Sequence, residues 1–131
     1  MKLLLDADFL VGLAKTDDAH HEKCLEMFAK LKHRGAKFFS TNLVIQEVGT
    51  VLSHKIGPVA VNSFYKKLPK LGLFLIRVDK MVEDKAWVVM LEQTRKGCSF
   101  VDCSNLIIVE ENGFDGILSF DKFYPKELRL V

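Results

Sequence analysis

The chain has 131 residues, of which 49% are hydrophobic and 27% are charged, and its formal net charge is +2 at neutral pH. This composition excludes an intrinsically disordered chain and predicts one globular domain over residues 1–131. No apolar run reaches the roughly 20 residues of a membrane span. The opening MKLLLDAD is too short for a secretory signal, so we expect a cytosolic protein with no membrane segment.

Cysteine and histidine spacing argues against two common kinds of small-domain site. The three cysteines form an odd set without a CxxC pair, which disfavours a disulfide framework. The four histidines lack HExxH spacing and the cysteines form no CxxC pair, which together disfavour a zinc site. The cysteines are therefore expected to be reduced thiols.

Positive charge is concentrated in the first part of the chain. Residues 1–80 have a net charge of +5, whereas residues 81–131 have a net charge of −3. Most of the excess lies in segments 23–37 and 55–80, where a polyanion could bind. On charge alone, ordinary solvated helix faces are the better explanation.

Short apolar runs alternate with amphipathic segments along the first half of the chain. Glycine, proline and polar capping residues separate these segments. The elements predicted here are a strand at 2–6, a helix at 9–14, a helix at 20–33, a strand at 37–41, a helix from Thr41 or Asn42 to the Gly57-Pro58 pair, and a helix at 59–68.

The second half repeats this alternation. Gly97 and Gly113 are placed where helices would end. The predicted elements are a strand at 73–78, a long helix at 79–96, a helix opening at Ser99 and running to Asn112, a strand at 116–121, and a short edge strand in the terminal LRLV.

Strands that alternate with helices indicate an α/β fold with a mostly parallel sheet. We expect a three-layer α/β/α domain with four or five strands and helices on both faces. In such sheets, ligands bind beyond the carboxyl ends of the strands.

Four acidic residues are candidates for a site at that edge. Asp6 and Asp121 end the first and fourth strands, while Glu47 and Asp102 lie on apolar helix faces. Carboxylates in apolar surroundings lose hydration, and a bound cation can offset the free-energy cost of that loss. Oxygen ligands of this kind suit Mg²⁺ or Mn²⁺. Asp121 also suits the start of a turn before Pro125.

The other acids also have structural explanations. Asp6 could cap the first helix, although Asp8 is better placed for that cap and is interpreted as a cap or as a group that supports the ligands. A tilt of its helix could leave Glu47 at the boundary between the buried and the exposed face. Asp102 has the spacing from Ser99 of a capping pair. The shared sheet edge favours the functional interpretation over these alternatives.

The motifs LLLDADFLVGL, STNLVIQEV, GCSFVDCSNLIIVEENG and ILSFDKFYP together resemble the successive motifs of PIN-domain nucleases, especially the VapC-type toxins of toxin-antitoxin pairs. The resemblance covers nearly the whole chain in order. It implies that Asp6, Glu47, Asp102 and Asp121 are the metal-binding acids and that Ser119 assists them. The chain departs from the family after the first acid, where it has Ala7 and Asp8 instead of a hydroxyl residue followed by Asn or Ser.

The resemblance implies a Mg²⁺- or Mn²⁺-dependent endoribonuclease that leaves 5′-phosphate and 3′-hydroxyl ends. It also implies an RNA substrate, inhibition by an antitoxin, and a homodimer. The apolar segment 59–68 is a candidate interface, although simple core packing would explain its apolar residues equally well. A non-catalytic PIN-like module that binds RNA or protein is the alternative. A phosphotransferase of the haloacid-dehalogenase type is disfavoured, because the chain is short and LSFDKF lacks the late acidic pair.

Overall fold

A four-stranded parallel sheet lies at the centre of the computed structural model, which describes residues 1–131. The strand order is β3-β2-β1-β4, so the chain first moves outward from β1 and then returns to its other side. All three strand pairings are parallel, as predicted. The strands are β1 (Lys2–Leu5), β2 (Lys37–Thr41), β3 (Phe74–Ile76) and β4 (Gly116–Leu118).

Six α-helices connect the strands and cover both faces of the sheet. The first four helices pack on one face and the last two on the other, which confirms the predicted three-layer α/β/α fold. None of the helices has the length and apolar character needed to cross a membrane. The helices are α1 (Ala7–Ala14), α2 (His21–His33), α3 (Asn42–Lys55), α4 (Pro58–Lys67), α5 (Lys80–Leu91) and α6 (Phe100–Glu111), with a 3₁₀ turn at Leu68–Leu71 after α4.

The first strand shows how one apolar run supplies two cores. Successive side chains of a strand point to opposite faces of the sheet. Leu3 and Leu5 therefore join the core under α1 to α4, while Leu4 joins Ile108 and Ile117 on the α6 side. All three leucines are fully buried. A continuous apolar run is what a central parallel strand requires, because both of its faces are covered.

Close packing of α1 against α2 depends on a glycine. A Cβ atom at Gly12 would lie 2.6 Å from the Sγ atom of Cys24, which is itself fully buried. A larger residue at this contact would force the Cys24 side chain or the helices to shift.

The helix predicted at 79–96 is shorter in the structure, because α5 ends at Leu91. The prediction was wrong for residues 92–96, all of which are exposed. Leu91 is already 79% exposed, and residues 92–96 are all polar or charged, so a longer helix would bury no further apolar surface. The chain instead turns at Gly97, whose φ of +114° favours glycine.

The terminal LRLV is not a full strand. Arg129 forms a single parallel bridge with Ile117, and hydrogen bonds join the Ile117 amide to the Leu128 carbonyl and the Leu130 amide to the Ile117 carbonyl. The sheet therefore has four strands rather than five. The fourth strand also stops at Leu118, since the following residues leave the ladder to form the site described next.

Candidate active site

An acidic cavity lies beyond the carboxyl ends of β1 and β4, where the order of the strands reverses. This is the position at which parallel α/β sheets bind ligands. The cavity has a volume of about 490 Å³ and is lined by six acidic side chains. All four predicted acids are among the six, which are Asp6, Asp8, Asp18, Glu47, Asp102 and Asp121.

Asp6 is buried at the junction of β1 and α1. Its Oδ1 atom accepts hydrogen bonds from the Ala7 amide at 2.8 Å and from Asn105 Nδ2 at 3.1 Å. Its Oδ2 atom accepts one from Ser119 Oγ at 2.8 Å. Asp6 is thus the N-cap of α1 and also part of the cavity wall, so the two interpretations of this residue are compatible.

Asp8 does not cap α1, and that part of the prediction was wrong. Its side chain reaches across to the segment after β4, where Oδ2 accepts a hydrogen bond from the Phe120 amide at 2.8 Å and lies 3.3 Å from Ser119 Oγ. Its Oδ1 atom is buried and has no hydrogen-bond partner. A buried carboxylate oxygen without a donor is costly, so a cation would be favoured near it.

Asp102 divides its two oxygens between the helix and the cavity. Oδ2 accepts a hydrogen bond from the Ser99 amide at 2.9 Å, which completes a capping box at the start of α6. Oδ1 accepts a longer hydrogen bond, 3.3 Å, from the Tyr124 hydroxyl. Burial raises the pKa of Tyr124 and keeps this hydroxyl protonated as a donor. The predicted capping role is therefore present, and it orients the carboxylate along the cavity wall.

The Glu47 side chain is half-buried on α3 and forms no hydrogen bond or salt bridge with another protein group. It shares its helix face with Val44 and Val48, both fully buried. Its carboxylate nevertheless lines the acidic cavity. Among the four predicted acids it is the one with no protein partner, so it is the most available to a ligand.

Asp121 combines the predicted turn with a place in the cavity wall. Its Oδ1 atom accepts a hydrogen bond from the Phe123 amide at 2.9 Å, as at the start of a tight turn. Its own amide donates to Ser119 Oγ at 3.0 Å. Ser119 is fully buried and contacts Asp6, Asp8 and Asp121, so the residue predicted as a helper connects three of the acids.

Three carboxylates of the cavity, those of Asp6, Glu47 and Asp102, have pKa values well above the ordinary range. Burial, followed by repulsion from Asp8, raises the pKa of Asp6 to about 6. Burial and then repulsion from Asp6 and Asp102 raise the pKa of Glu47 to about 7. Burial also raises the pKa of Asp102 to about 6, with a contribution from Asp6. Lys55 is the only Lys or Arg among the lining residues, so the negative charge is poorly compensated.

The donor set fits a hard divalent cation. No group of three or more His, Cys, Asp or Glu side chains is arranged at metal-binding distances. Mg²⁺ does not require such a cage, because it usually keeps several waters and is bound through only one or two carboxylates. Carboxylate oxygens, the partnerless Oδ1 atom of Asp8 and the raised pKa values all match a cavity that favours a cation.

Two polar residues behind the acids were missed by the sequence analysis. Asn105 is fully buried, and its Nδ2 atom donates to Asp6 Oδ1 and to the Tyr124 hydroxyl at 3.0 Å. A signal for Asn105 existed, since it follows Asp102 by three residues and shares its helix face. Tyr124 carried no comparable signal, because only the fold brings the segment after Asp121 against α6.

Comparisons with known proteins identify the fold. No protein-family model matches the sequence, and no curated protein matches it. Among solved structures, the chain is similar to VapC20 of Mycobacterium tuberculosis, a toxin that cleaves the sarcin-ricin loop, with a TM-score of 0.82 and 20% identity over 91% of this chain and 89% of that chain. At this identity the likeness establishes a shared architecture, so the resemblance drawn from the motifs is confirmed at the level of the PIN-like α/β/α fold.

Proposed function

We propose that residues 1–131 form a single PIN-like domain that acts as a metal-dependent endoribonuclease, the toxin of a toxin-antitoxin pair. The observation that carries this proposal is the meeting of Asp6, Glu47, Asp102 and Asp121 at one cavity in a toxin-like fold. Acidic cavities repel a polyanion unless a cation intervenes. Cleavage of a phosphodiester therefore requires a cation at this cavity.

Each acid has a proposed role. Asp6, Asp102 and Asp121 would hold Mg²⁺ or Mn²⁺, directly or through water. When bound, the cation would lower the pKa of a water molecule and offset the charge on the phosphate under attack. Glu47, which has no protein partner, would ligate the cation or orient the attacking water. The expected products are a 5′-phosphate and a 3′-hydroxyl.

Ser119, Asn105 and Tyr124 would position the acids without touching the substrate. The Ser119 hydroxyl donates to Asp6, and the Tyr124 hydroxyl donates to Asp102. The Asn105 amide donates to both Asp6 and the Tyr124 hydroxyl, so it links the hydrogen bonds around Asp6 to those around Asp102. Ala7 supplies no hydroxyl, and Ser119 provides the side-chain hydroxyl that contacts Asp6.

The test is RNA cleavage by the wild-type protein and by Asp6→Asn and Asp102→Asn, with Mn²⁺ or with EDTA. We expect Mn²⁺-dependent cleavage in the wild type and a loss of about 10³-fold or more in both variants. Asp84→Asn, which changes an exposed acid on α5, is the matched control and should retain activity. Unchanged cleavage by Asp6→Asn would contradict the assignment, and RNA binding without cleavage would favour a non-catalytic module.

Two partners follow from the same proposal. An antitoxin would inhibit the enzyme, and co-purification of the product of a neighbouring short reading frame would test this. A homodimer would cover the exposed apolar residues of α4, where Val59 is 84% exposed and Tyr65 is 70% exposed. Sedimentation at tens of micromolar should show a dimer, and a monomer alone would contradict that interface.

A further inference from the structure

A second cleft opens directly beside the acidic cavity. It has a volume of about 420 Å³, and it shares Gly97 and Asp121 with the acidic cavity. This volume lies within the range of roughly 300–1,000 Å³ that is common for ligand sites. Its lining residues are Gln93, Arg95, Lys96, Gly97, Cys98, Asp121, Lys122 and Phe123, and we call it the basic cleft.

Three cationic side chains of the basic cleft have no acidic partner. Arg95, Lys96 and Lys122 form no salt bridge, whereas the three salt bridges of the protein all lie elsewhere. The only acid in the lining is Asp121, which stands at the junction with the acidic cavity. The charge therefore changes sign across that junction, from carboxylates to free cations.

The early end of α5 places two of these cations in the cleft. Had the helix continued to Lys96, residues 92–96 would have extended it as a solvated helical turn. Instead the chain leaves the helix after Leu91 and turns back at Gly97 toward the cap of α6 at Ser99. This path places Arg95 and Lys96 in the lining of the basic cleft, next to the cavity that contains Asp102.

An aromatic side chain completes the lining. Phe123 is half-buried and packs edge-on against Tyr124, with ring centroids 5.3 Å apart and an interplanar angle of 78°. Tyr124 in turn contacts Asp102. Cations beside an aromatic ring are the usual composition of surfaces that bind single-stranded nucleic acid, where phosphates contact the cations and a base stacks on the ring.

We propose that the basic cleft binds the phosphate backbone of single-stranded RNA on one side of the bond that is cleaved. This inference rests on the proposed ribonuclease function and deepens it. The nucleotides next to the scissile phosphate lie in the cleft, with their phosphates against Arg95, Lys96 and Lys122 and a base against Phe123. The scissile phosphate then lies over the acidic cavity.

A second basic cluster provides a matched comparison. Lys30, Lys32 and Arg34 are exposed at the end of α2, and none of them lines either the acidic cavity or the basic cleft. Both clusters contain three cations, so replacement of either one by glutamine changes the net charge equally. Only the basic cleft adjoins the acids.

The experiment measures the affinity of a fluorescently labelled single-stranded RNA of about 12 nucleotides, within the roughly 4–16 nucleotides that such surfaces span. The affinity is measured in EDTA, which prevents cleavage, and again in Ca²⁺, which binds carboxylate oxygens and so offsets the repulsion between the acidic cavity and the RNA. The salt concentration is varied in both conditions. The proteins are the full-length wild type, the triple variant R95Q/K96Q/K122Q and the control K30Q/K32Q/R34Q. A Mn²⁺ titration of each protein, followed by thermal unfolding, reports whether the acidic cavity is intact.

We expect the cleft variant to lose about tenfold or more in RNA affinity, and its salt dependence to fall by about 2 in slope, because each single-strand phosphate contact contributes roughly 0.7. The control should retain the RNA affinity and the salt dependence of the wild type. Mn²⁺ should raise the melting temperature of all three proteins equally. Equal losses in the two variants, or no loss in the cleft variant, would overturn the inference.

The outcomes also separate this inference from the ribonuclease proposal. If the cleft variant shows Mn²⁺-dependent cleavage with unchanged RNA affinity and KM, the basic cleft is not an RNA site. The ribonuclease proposal is then still supported. Selective loss of RNA affinity in the cleft variant, in a protein that never cleaves RNA, would support the cleft as an RNA site and contradict the enzyme. Failure of the wild type to bind RNA in both EDTA and Ca²⁺ would show that the basic cleft is not an RNA site.

Discussion

Acidic residues occur in two contrasting environments in this protein. On the surface of α5 and α6, Asp84 pairs with Lys80 at 2.8 Å and Glu111 pairs with Lys85, and all four side chains are substantially exposed. In the acidic cavity, Asp6, Asp102 and Glu47 are buried or half-buried and form no salt bridge. The same chemical groups are therefore hydrated and paired in one region and desolvated and crowded in the other.

The acids of the cavity, unlike those on the surface, are expected to destabilise the protein when no cation is bound. Surface pairs contribute little to the free energy of unfolding, and their loss is tolerated. Clustered carboxylates in a cavity lower that free energy, because their charged forms lose hydration and repel one another. Such an arrangement is expected where a bound cation offsets the cost and the site performs a function.

Divalent cations should stabilise the cavity and leave the surface pairs unaffected. At a Mn²⁺ concentration of 100 times its Kd, we expect the free energy of unfolding to rise by about 2.7 kcal/mol. For a domain of this size the melting temperature should rise by roughly 10 °C. Differential scanning fluorimetry with and without Mn²⁺ measures this shift.

The control for the Mn²⁺ prediction uses one acid from each environment. Asp84→Asn should retain the full stabilisation by Mn²⁺, whereas Asp102→Asn should lose most of it. An equal response of both variants would show that Mn²⁺ acts outside the cavity. No response in the wild type would contradict the prediction directly.

Without a cation, stability should fall as the pH rises from about 4 to about 7. The folded-state pKa values of Asp6, Asp102 and Glu47 are raised to about 6, 6 and 7, whereas unfolded carboxyls titrate near roughly 4. The folded state therefore binds more protons in this window, and the free energy of unfolding decreases as those protons are lost. Urea unfolding in EDTA at a series of pH values measures the slope.

Glu47→Gln should make the free energy of unfolding depend less steeply on pH, because it removes one of the carboxyls whose pKa is raised. At pH above about 7 the variant should be more stable than the wild type by on the order of 1 kcal/mol, a value kept small because Glu47 is partly solvated. Glu26→Gln, on the exposed side of α2, should leave the slope unchanged. A stability that increases with pH across this window would contradict the repulsion described for the cavity.

Breaking a surface pair should have the smallest effect. Lys85→Gln removes the partner of Glu111 at an exposed position. We expect a loss of about 0.5 kcal/mol or less, which high salt should reduce further. Urea unfolding at low and high ionic strength measures it. A loss that exceeds the effect of Glu47→Gln in size would reverse the contrast between the two regions.

Much of the site followed from the sequence because parallel sheets impose a common edge. Asp6 follows β1 and Asp121 follows β4, and because these strands are parallel both residues must lie at the carboxyl edge of the sheet. Glu47 was detectable because a carboxylate interrupted the stripe formed by Val44 and Val48. These signals are local, and the regular architecture converts them into positions in space.

The remaining features depend on contacts between distant segments. Asp8 had the local sequence of a cap, but the amide of Phe120, brought close by the pairing of β1 with β4, is its observed partner. Tyr124 meets Asp102 only because the chain after β4 folds over α6. The end of α5 at Leu91 reflects the absence of further core to cover, which helix propensity alone does not reveal.

We expect the acidic cavity to bind a divalent cation between its carboxylates. A crystal structure from Mn²⁺-soaked crystals, with anomalous diffraction to locate the metal, tests it most directly. We predict a Mn²⁺ ion in the cavity, about 2.0–2.3 Å from oxygens of at least two of Asp6, Glu47, Asp102 and Asp121, with water completing its coordination. A cavity without metal at saturating Mn²⁺, or a metal bound only at surface acids such as Asp84, would contradict the account.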